Sequence, residues 1–322
     1  MPYRIAIAGS SLHTRQVAEV LLTDPRFQLA WIMGPSARAI GREQILTDGP
    51  MQELAKQYQL PYISIENKIE KFTAPAPIDI LLVVDFGYLV PNWLLEMPKL
   101  GALNIHPSLL PKWRGSSPGQ FALLHRDLLP ESDNSAVTLM MMDETLDGGA
   151  LLAQIPFNLQ PKWTQSEYYQ TAFALICTQL ADLLVDFSQG KLLPKIQEKN
   201  SPTIIAKRLK KSDSFVNFQT LQALMTNTTE LVNLPSNTGL LEQLLSDRKL
   251  CPNRGKQLQL CHNACYAFQP WPKMWTSIET PKGPKRMQIL DVKIESQRLL
   301  LHKVQIEGKN PCSWQECKNI LV

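Results

Sequence analysis

Short apolar runs alternate with helix-forming patterns through the first half of the chain, and this alternation restricts the fold more than any other feature. Residues 3–9 form one such run, and a helical pattern through Val17 and Leu21 follows. The next runs are FQLAWIM, PYISI and a nearly continuous apolar strand at 79–91, stopped by Pro91. Strands that alternate with helices are typical of a mostly parallel sheet with helices on both faces. We therefore predict an α/β, Rossmann-like fold, with ligands beyond the carboxyl ends of the strands.

The second half of the chain indicates a separate, smaller domain. A long helical stretch from about Gln165 ends at Gly190, and the composition then becomes rich in Lys, Pro and Asn, as in a linker. Further on, the strand-like pieces RMQILDVKI and RLLLHKVQI predict a small β-barrel-like (OB-like) domain. The predicted boundaries are 1–190 for the first domain, 191–203 for the linker and 204–322 for the second domain, with an insertion of unassigned structure at about 221–259.

Several classes of protein are disfavoured. The turn after the first strand reads AGSSLHTRQ and lacks the G-x-G-x-x-G pattern of a dinucleotide site. The six cysteines do not suggest a disulfide framework. Cys251, Cys261, His262 and Cys265 could in principle hold zinc, but their spacing matches no familiar finger, and we predict no metal. Without an apolar run of ~20 residues or a secretory signal, we expect a cytoplasmic protein that does not bind a membrane. Separately, we expect a monomer.

Basic residues are concentrated near the middle of a chain whose formal net charge is +4. The cluster consists of Lys195, Lys199, Lys207, Arg208, Lys210 and Lys211. Such a run is usually a solvated face or a linker. Its alternative is a patch that contacts the phosphates of a nucleic acid. Charge alone leaves both interpretations open.

Two segments carry residues suited to catalysis, LNIHPSLLPKWRGSSP and TLMMMDETLDGGALL. Asn104 and His106 are two residues apart on a predicted strand, so their side chains share a face at its end. Together they could polarise a carbonyl group or move a proton. Asp147, on a turn followed by two glycines, could orient the imidazole. Taken singly, these residues are more often turn formers or ordinary polar groups, and the spacing alone does not bring Asp147 to His106.

The stretch NIHPSLLPKWRG, followed by MDETLDGG, resembles the signature of the folate-dependent formyltransferases. The resemblance implies that Asn104, His106 and Asp147 are catalytic and that 10-formyltetrahydrofolate donates the formyl group. An amine would attack the formyl carbon. Asn104 and protonated His106 would stabilise the tetrahedral intermediate, and Asp147 would assist proton transfer. The folate-binding residues implied are Ser108, Leu109, Leu110, Pro111, Val84, Phe86, Gly87, Tyr88, Leu89, Met140, Asp143 and Glu144.

Other segments resemble the methionyl-tRNA branch of that family. They are the loop GPSARAIGREQILTDGPMQELAKQYQLP, the segment TIIAKRLKKSDSFVNF and the motif AFQPWPKMW. The resemblance implies an initiator methionyl-tRNA partner, and the contacts we predict for it are Arg42, Arg114, Lys207, Arg208, Lys210 and Lys211. The chain departs from the branch at Val216-Asn217-Phe218, at Tyr266 and in a shortened stretch between Ile294 and Leu300. The alternatives are an N-formyltransferase for an amino-sugar nucleotide, a glycinamide ribonucleotide formyltransferase and a catalytically silent RNA-binding relative.

Overall fold

The computed structural model describes residues 1–40, 44–130, 132–198, 204–226, 230–231 and 239–318. The strands are β1 Tyr3–Gly9, β2 Phe27–Pro35, β3 Arg38–Ile40, β4 Ile45–Thr47, β5 Tyr62–Ile65, β6 Ile80–Val84, β7 Gly101–His106, β8 Asn134–Met141, β9 Leu151–Asn158, β10 Trp275–Ile278, β11 Lys285–Glu295, β12 Arg298–Ile306 and β13 Cys312–Ser313. The helices are α1 Leu12–Thr23, α2 Pro50–Gln57, α3 Asn92–Leu95, α4 Pro118–His125, α5 Gln165–Ser188, α6 Phe218–Met225, α7 Leu240–Ser246, α8 Arg254–Ala267 and α9 Trp314–Cys317, with a 3-10 turn at Lys211–Ser214.

The main sheet has seven strands in the order β5-β2-β1-β6-β7-β8-β9. The first five in that order are parallel, and β8 pairs antiparallel with β7. Along β1 and β6 successive side chains enter opposite apolar clusters, because side chains alternate between the faces of a sheet. One cluster holds Ile5, Ile7, Ile80, Leu82 and Val84, and the other holds Ala6, Ala8, Leu81 and Val83. This architecture confirms the predicted α/β fold class.

The prediction of one strand through 79–91 was wrong. Strand β6 ends at Val84, because the next residue, Asp85, has a φ of 45°, a left-handed conformation that a strand cannot contain. The residues beyond it form a loop although several of them are apolar. Leu89 is 91% exposed there. The early end of β6 therefore exposes an apolar loop at the carboxyl edge of the sheet.

Helix α5 would pass as a membrane-spanning helix by its length and composition alone. The core helix of a soluble protein passes the same test. One face of α5 packs into the cluster that also contains Ile5 and Ile80. Its buried residues there are Ala172, Phe173, Ile176, Leu180 and Leu184. Packing against the sheet thus accounts for much of its apolar character.

The described residues divide into two compact units. The first comprises Met1–Gly115, Ala136–Phe157 and Tyr169–Ile205, and the second comprises Ser116–Ser135, Asn158–Tyr168 and Ala206–Val322. The second unit contains the antiparallel sheet β10-β11-β12-β13, which agrees with the expected smaller C-terminal domain. In the region of the unassigned insertion, the described residues form most of α6, all of α7 and the start of α8. One disulfide, Cys312–Cys317, joins β13 to α9.

Candidate active site

Strand β7 carries Asn104 and His106 to the carboxyl edge of the main sheet. His106 is the last residue of the strand and is buried, and Asn104 is partly buried two residues earlier. The residue spacing directs both side chains to one face of the sheet. The Nε2 atom of His106 lies 3.2 Å from the carbonyl oxygen of Trp113. The imidazole is therefore held against the loop that follows its own strand.

Asp147 reaches the other side of this imidazole, with its Oδ2 3.8 Å from the His106 Nδ1. Strand β8 runs antiparallel to β7, so that Met141 pairs with Leu103 and the following loop must return toward His106. The return uses a left-handed Asp147, with a φ of 47°, and Gly149, where a Cβ would lie 2.0 Å from the Met141 oxygen. The glycine is therefore required by close packing of the backbone.

The carboxylate of Asp147 is anchored independently of His106. Its Oδ2 accepts a 2.7 Å hydrogen bond from the backbone N–H of Gly115. Gly115 also has a positive φ, of 120°, which turns this part of the loop toward the carboxylate. The site thus brings a carboxylate and an imidazole together, beside the amide-bearing residue Asn104. Such a set can donate to a developing oxyanion and accept a proton.

Side chains from two strands, β8 and β9, donate hydrogen bonds to the backbone of the Ser108–Pro111 loop. Thr138, on β8, donates its hydroxyl to the Ser108 carbonyl at 2.6 Å. Gln154, on β9, donates its Nε2 to the carbonyl of Leu110 at 2.9 Å and to the Thr138 hydroxyl at 3.1 Å. The Ser108 hydroxyl itself donates to the Lys112 carbonyl. The predicted folate loop therefore has a defined backbone position, although sequence analysis did not identify Thr138 or Gln154.

The other residues predicted to bind folate occupy two different environments. The side chains of Val84, Leu110 and Met140 are buried in the core, so only their backbone could meet a ligand. Leu109, Pro111, Phe86 and Tyr88 are half-buried, whereas Gly87, Leu89, Asp143 and Glu144 are exposed. The Glu144 Oε1 accepts a 2.6 Å hydrogen bond from the Asn92 amide, which joins the loop after β8 to the first residue of α3.

Gln197, which sequence analysis placed in the linker, is part of the site. Its Nε2 donates to the carbonyl oxygens of Asp147 at 2.9 Å and Gly149 at 2.8 Å. Its Oε1 accepts from the Nε and Nη2 of Arg114, at 3.1 and 2.7 Å. Arg114, a predicted tRNA contact, thus binds Gln197, and both residues belong to the first unit. Nothing in the sequence near Gln197 indicated this role, because the contacts are all long-range.

Four of the basic residues predicted to contact tRNA are exposed, and Arg114 is half-buried. The four are Lys207, Arg208, Lys210 and Lys211, while Arg42 lies outside the described residues. The Lys207 ammonium is 3.0 Å from the Oδ1 of the buried Asp213, and Asp213 also accepts from the Lys210 backbone N–H. Lys207 is therefore partly neutralised.

No group of three or more His, Cys, Asp or Glu side chains in the described part of the chain is arranged to hold a metal ion. Three of the four residues considered for zinc, Cys251, Cys261 and Cys265, are buried. Burial raises the pKa of the Cys251 thiol to about 12 and also raises the pKa of the other two.

The sequence of the chain is similar to those of known proteins. A family described as formyl transferase matches residues 3–175. A methionyl-tRNA formyltransferase from Nitrosomonas eutropha is 28% identical over 219 residues, which are 67% of this chain and 67% of the relative.

Solved structures of several such enzymes share the fold over nearly the whole chain. An N-formyltransferase from Helicobacter canadensis, in complex with folinic acid and dTDP-3-aminofucose, has a TM-score of 0.58 at 15% identity and covers 96% of both chains. WlaRD, a sugar 3N-formyltransferase, has a TM-score of 0.55 at 14% identity, over 96% of this chain and 100% of the other. Methionyl-tRNA formyltransferase from Clostridium thermocellum has a TM-score of 0.53 at 13% identity, over 94% and 98%.

Proposed function

The chain belongs to the formyl transferase family, and we propose that this formyl-transferring enzyme moves the formyl group of 10-formyltetrahydrofolate to the amine of methionyl-initiator tRNA. The observation that carries the proposal is the convergence of His106 and Asp147 at the end of the strand that bears Asn104. The choice of acceptor is supported by the sequence identity with the Nitrosomonas eutropha enzyme. Similarities in fold below 25% identity do not distinguish between acceptors.

The loops at this edge fit a folate. A pterin is a flat ring system that suits apolar side chains with a few backbone hydrogen bonds. Leu89 is 91% exposed and Leu146 is 62% exposed, and both lie in loops predicted to flank the ligand. The rings of Phe86 and Tyr88, 5.2 Å apart, are half-buried next to Leu89. We infer that these side chains form the apolar wall and that backbone groups supply the polar contacts.

Asn104 and His106 would stabilise the charge that forms during transfer. When bound, 10-formyltetrahydrofolate supplies the formyl carbon that the acceptor amine attacks. The Asn104 amide and an N–H of His106 would donate to the formyl oxygen as it becomes negative. In the structure the His106 ring lies between two acceptors, the Trp113 carbonyl at 3.2 Å from Nε2 and the Asp147 carboxylate at 3.8 Å from Nδ1.

Asp147 would serve the proton transfer. The attacking amine becomes positively charged and must lose a proton. A carboxylate is an acceptor, and through a water molecule Asp147 could accept the proton of the amine. Gly115 holds the same carboxylate oxygen from the backbone, so Asp147 keeps its place while the proton moves.

The exposed basic residues Lys207, Arg208, Lys210 and Lys211 would hold the tRNA through its phosphates, with Arg42 and Arg114 nearer the acceptor end. Phosphate contacts supply affinity without sequence specificity, which suits a site where the amine must be presented to His106. Because Lys207 already pairs with Asp213, we assign the larger contributions to Arg208, Lys210 and Lys211.

The proposal is tested by giving the enzyme 10-formyltetrahydrofolate with each of four acceptors. These are initiator methionyl-tRNA, elongator methionyl-tRNA, a dTDP-linked amino sugar and glycinamide ribonucleotide. We expect kcat/KM for the initiator methionyl-tRNA to exceed that of every other acceptor by at least about 10²-fold, a difference of ~2.7 kcal/mol in transition-state binding. A higher value for the amino sugar would replace this proposal with the sugar N-formyltransferase.

A further inference from the structure

The side-chain amide of Gln197 is buried and fully hydrogen-bonded. It is 5% exposed and makes four hydrogen bonds, two from Nε2 to the carbonyls of Asp147 and Gly149 and two to Oε1 from Arg114. A glutamine amide has two N–H donors and an oxygen that accepts two bonds, so these partners use its whole capacity. A flipped amide would face carbonyls with its oxygen and a guanidinium with its NH2 group. Its orientation is therefore fixed.

The backbone that carries Gln197 is also anchored. Lys195 and Leu151 exchange two backbone hydrogen bonds of 2.8 Å, as in an antiparallel pair. Leu151 is the first residue of β9, directly after the loop that contains Asp147. The segment 195–197 thus braces this loop at its end, through Leu151, and in its middle, through the two carbonyls.

Gln197 connects the two pieces of backbone that hold the Asp147 carboxylate. One piece is the loop itself, whose carbonyls accept from the Gln197 Nε2. The other is Gly115, whose N–H donates to the Asp147 Oδ2 and whose neighbour Arg114 donates to the Gln197 Oε1. A movement of either piece would change the 3.8 Å separation of Asp147 and His106.

The loop needs such a brace because its sequence leaves other conformations open to it. Asp147 is left-handed with a φ of 47°, which is uncommon outside glycine, with Asp and Asn the main exceptions. The glycines at 148 and 149 that follow add conformational freedom in the unfolded and alternative states. Without bonds to its carbonyls, the loop would therefore relax toward other conformations.

We propose that Gln197 is a positioning residue for formyl transfer, which fixes the Asp147 carboxylate against His106 by clamping Arg114 to the Asp147–Gly149 turn. This rests on the proposed role of Asp147 in the reaction. All four hydrogen bonds of the Gln197 amide go to protein groups. Its contribution is the placement of a group whose displacement by about 1 Å can cost on the order of 10²-fold in rate.

Two substitutions separate the clamp from general packing. Gln197→Met keeps the length of the side chain and removes all four hydrogen bonds. Gln197→Glu keeps the partner of Arg114 but presents an oxygen to the two carbonyls. The matched control is Gln257→Met, because Gln257 is also buried and donates its Nε2 to a carbonyl, that of Leu245. Melting temperatures of all variants show whether each one folds.

The decisive measurement is a double-mutant cycle with Asp147→Asn, with transfer to methionyl-tRNA followed at saturating substrates. We expect Gln197→Met and Gln197→Glu to lower kcat by about 10- to 100-fold with both KM values within about twofold. In the Asp147→Asn enzyme the same changes should cost less than about threefold, because their target is already lost. Gln257→Met should leave kcat unchanged.

If Asp147→Asn lowers kcat, two results would overturn the positioning role of Gln197 and leave the proposed function standing. One is a normal kcat in both Gln197 variants. The other is an equal fold-loss of kcat from the Gln197 substitutions in the wild type and in Asp147→Asn. A normal kcat in Asp147→Asn itself would instead remove the proposed function, and the positioning role with it.

Discussion

The Oδ2 atom of Asp147 lies 3.8 Å from the Nδ1 of His106, while the same oxygen accepts a 2.7 Å hydrogen bond from the Gly115 backbone. The first distance is too long for a hydrogen bond, and the second is short and direct. The carboxylate is thus placed by the backbone first and needs only a small movement, or one water molecule, to engage the imidazole. Hydrogen bonds at catalytic sites commonly tighten only when the substrate is bound.

A folate should stabilise the protein by binding at the apolar loops. We expect 5-formyltetrahydrofolate at up to millimolar concentration to raise the melting temperature by several degrees, because a ligand that binds only the folded state stabilises it by mass action. Leu89→Asp should abolish the shift, since it places a charge on the proposed apolar wall. Leu193→Asp is the control, because Leu193 is 83% exposed and lies outside this wall. A flat titration of the wild type would contradict the pocket.

The affinity for tRNA should fall as salt rises, with the logarithm of the binding constant decreasing by about 0.7–0.9 per neutralised phosphate for each unit of log salt. Replacing Lys207, Arg208, Lys210 and Lys211 with Ala should flatten this slope and raise KM for the tRNA. The control replaces four other exposed lysines, Lys68, Lys71, Lys99 and Lys191. Binding that responds equally to both quadruple variants would mean that the cluster is only a solvated segment.

Stability should fall in mild acid because of His125, on α4. Burial lowers the pKa of this histidine from 6.5 to about 4. Below pH 6.5 the histidine binds a proton in the unfolded chain but stays neutral in the folded chain. The contribution of His125 to stability is therefore complete above pH 6.5 and is lost as the pH falls toward 4. Between pH 7 and pH 5 the loss amounts to about 2 kcal/mol.

His125→Gln should remove that part of the pH dependence, which urea unfolding at the two pH values would measure. The quantity compared is the change in the free energy of unfolding of each protein between the two pH values. The fixed cost of the substitution cancels in that difference. Identical losses of stability in both proteins would show that His125 does not contribute.

The sequence predicted those elements whose side chains follow a simple periodicity. Strands β1 and β7 and helix α5 have the expected positions, because each buries a regular apolar pattern. Helix α8 was not predicted from the sequence. Ten of its fourteen residues are buried, including Arg254 and Asn263, so it lacks the apolar stripe and polar face of an amphipathic helix. Their polar groups bond to distant carbonyls, such as Asn263 to Leu124 and Arg126, and no local pattern encodes such partners.

The site was predictable only in part for a similar reason. The spacing of Asn104 and His106 on a strand indicates that they share a face, and family resemblance suggested Asp147. Gln197 gave no signal, because its role depends on carbonyl groups of a loop distant in the sequence. The end of β6 was misjudged because the left-handed Asp85, rather than a loss of apolar character, terminates the strand.

The rate of the chemical step in Asp147→Asn tests the central claim most directly. Single-turnover formyl transfer from 10-formyltetrahydrofolate to methionyl-tRNA would be compared in the wild type, in Asp147→Asn and in Asp186→Asn, a control on the exposed side of α5 that pairs with Lys191. We predict a loss of at least about 10²-fold for Asp147→Asn, with an unchanged melting temperature, and a normal rate for the control. Near-normal transfer by Asp147→Asn would contradict the assignment of Asn104, His106 and Asp147 as the catalytic residues.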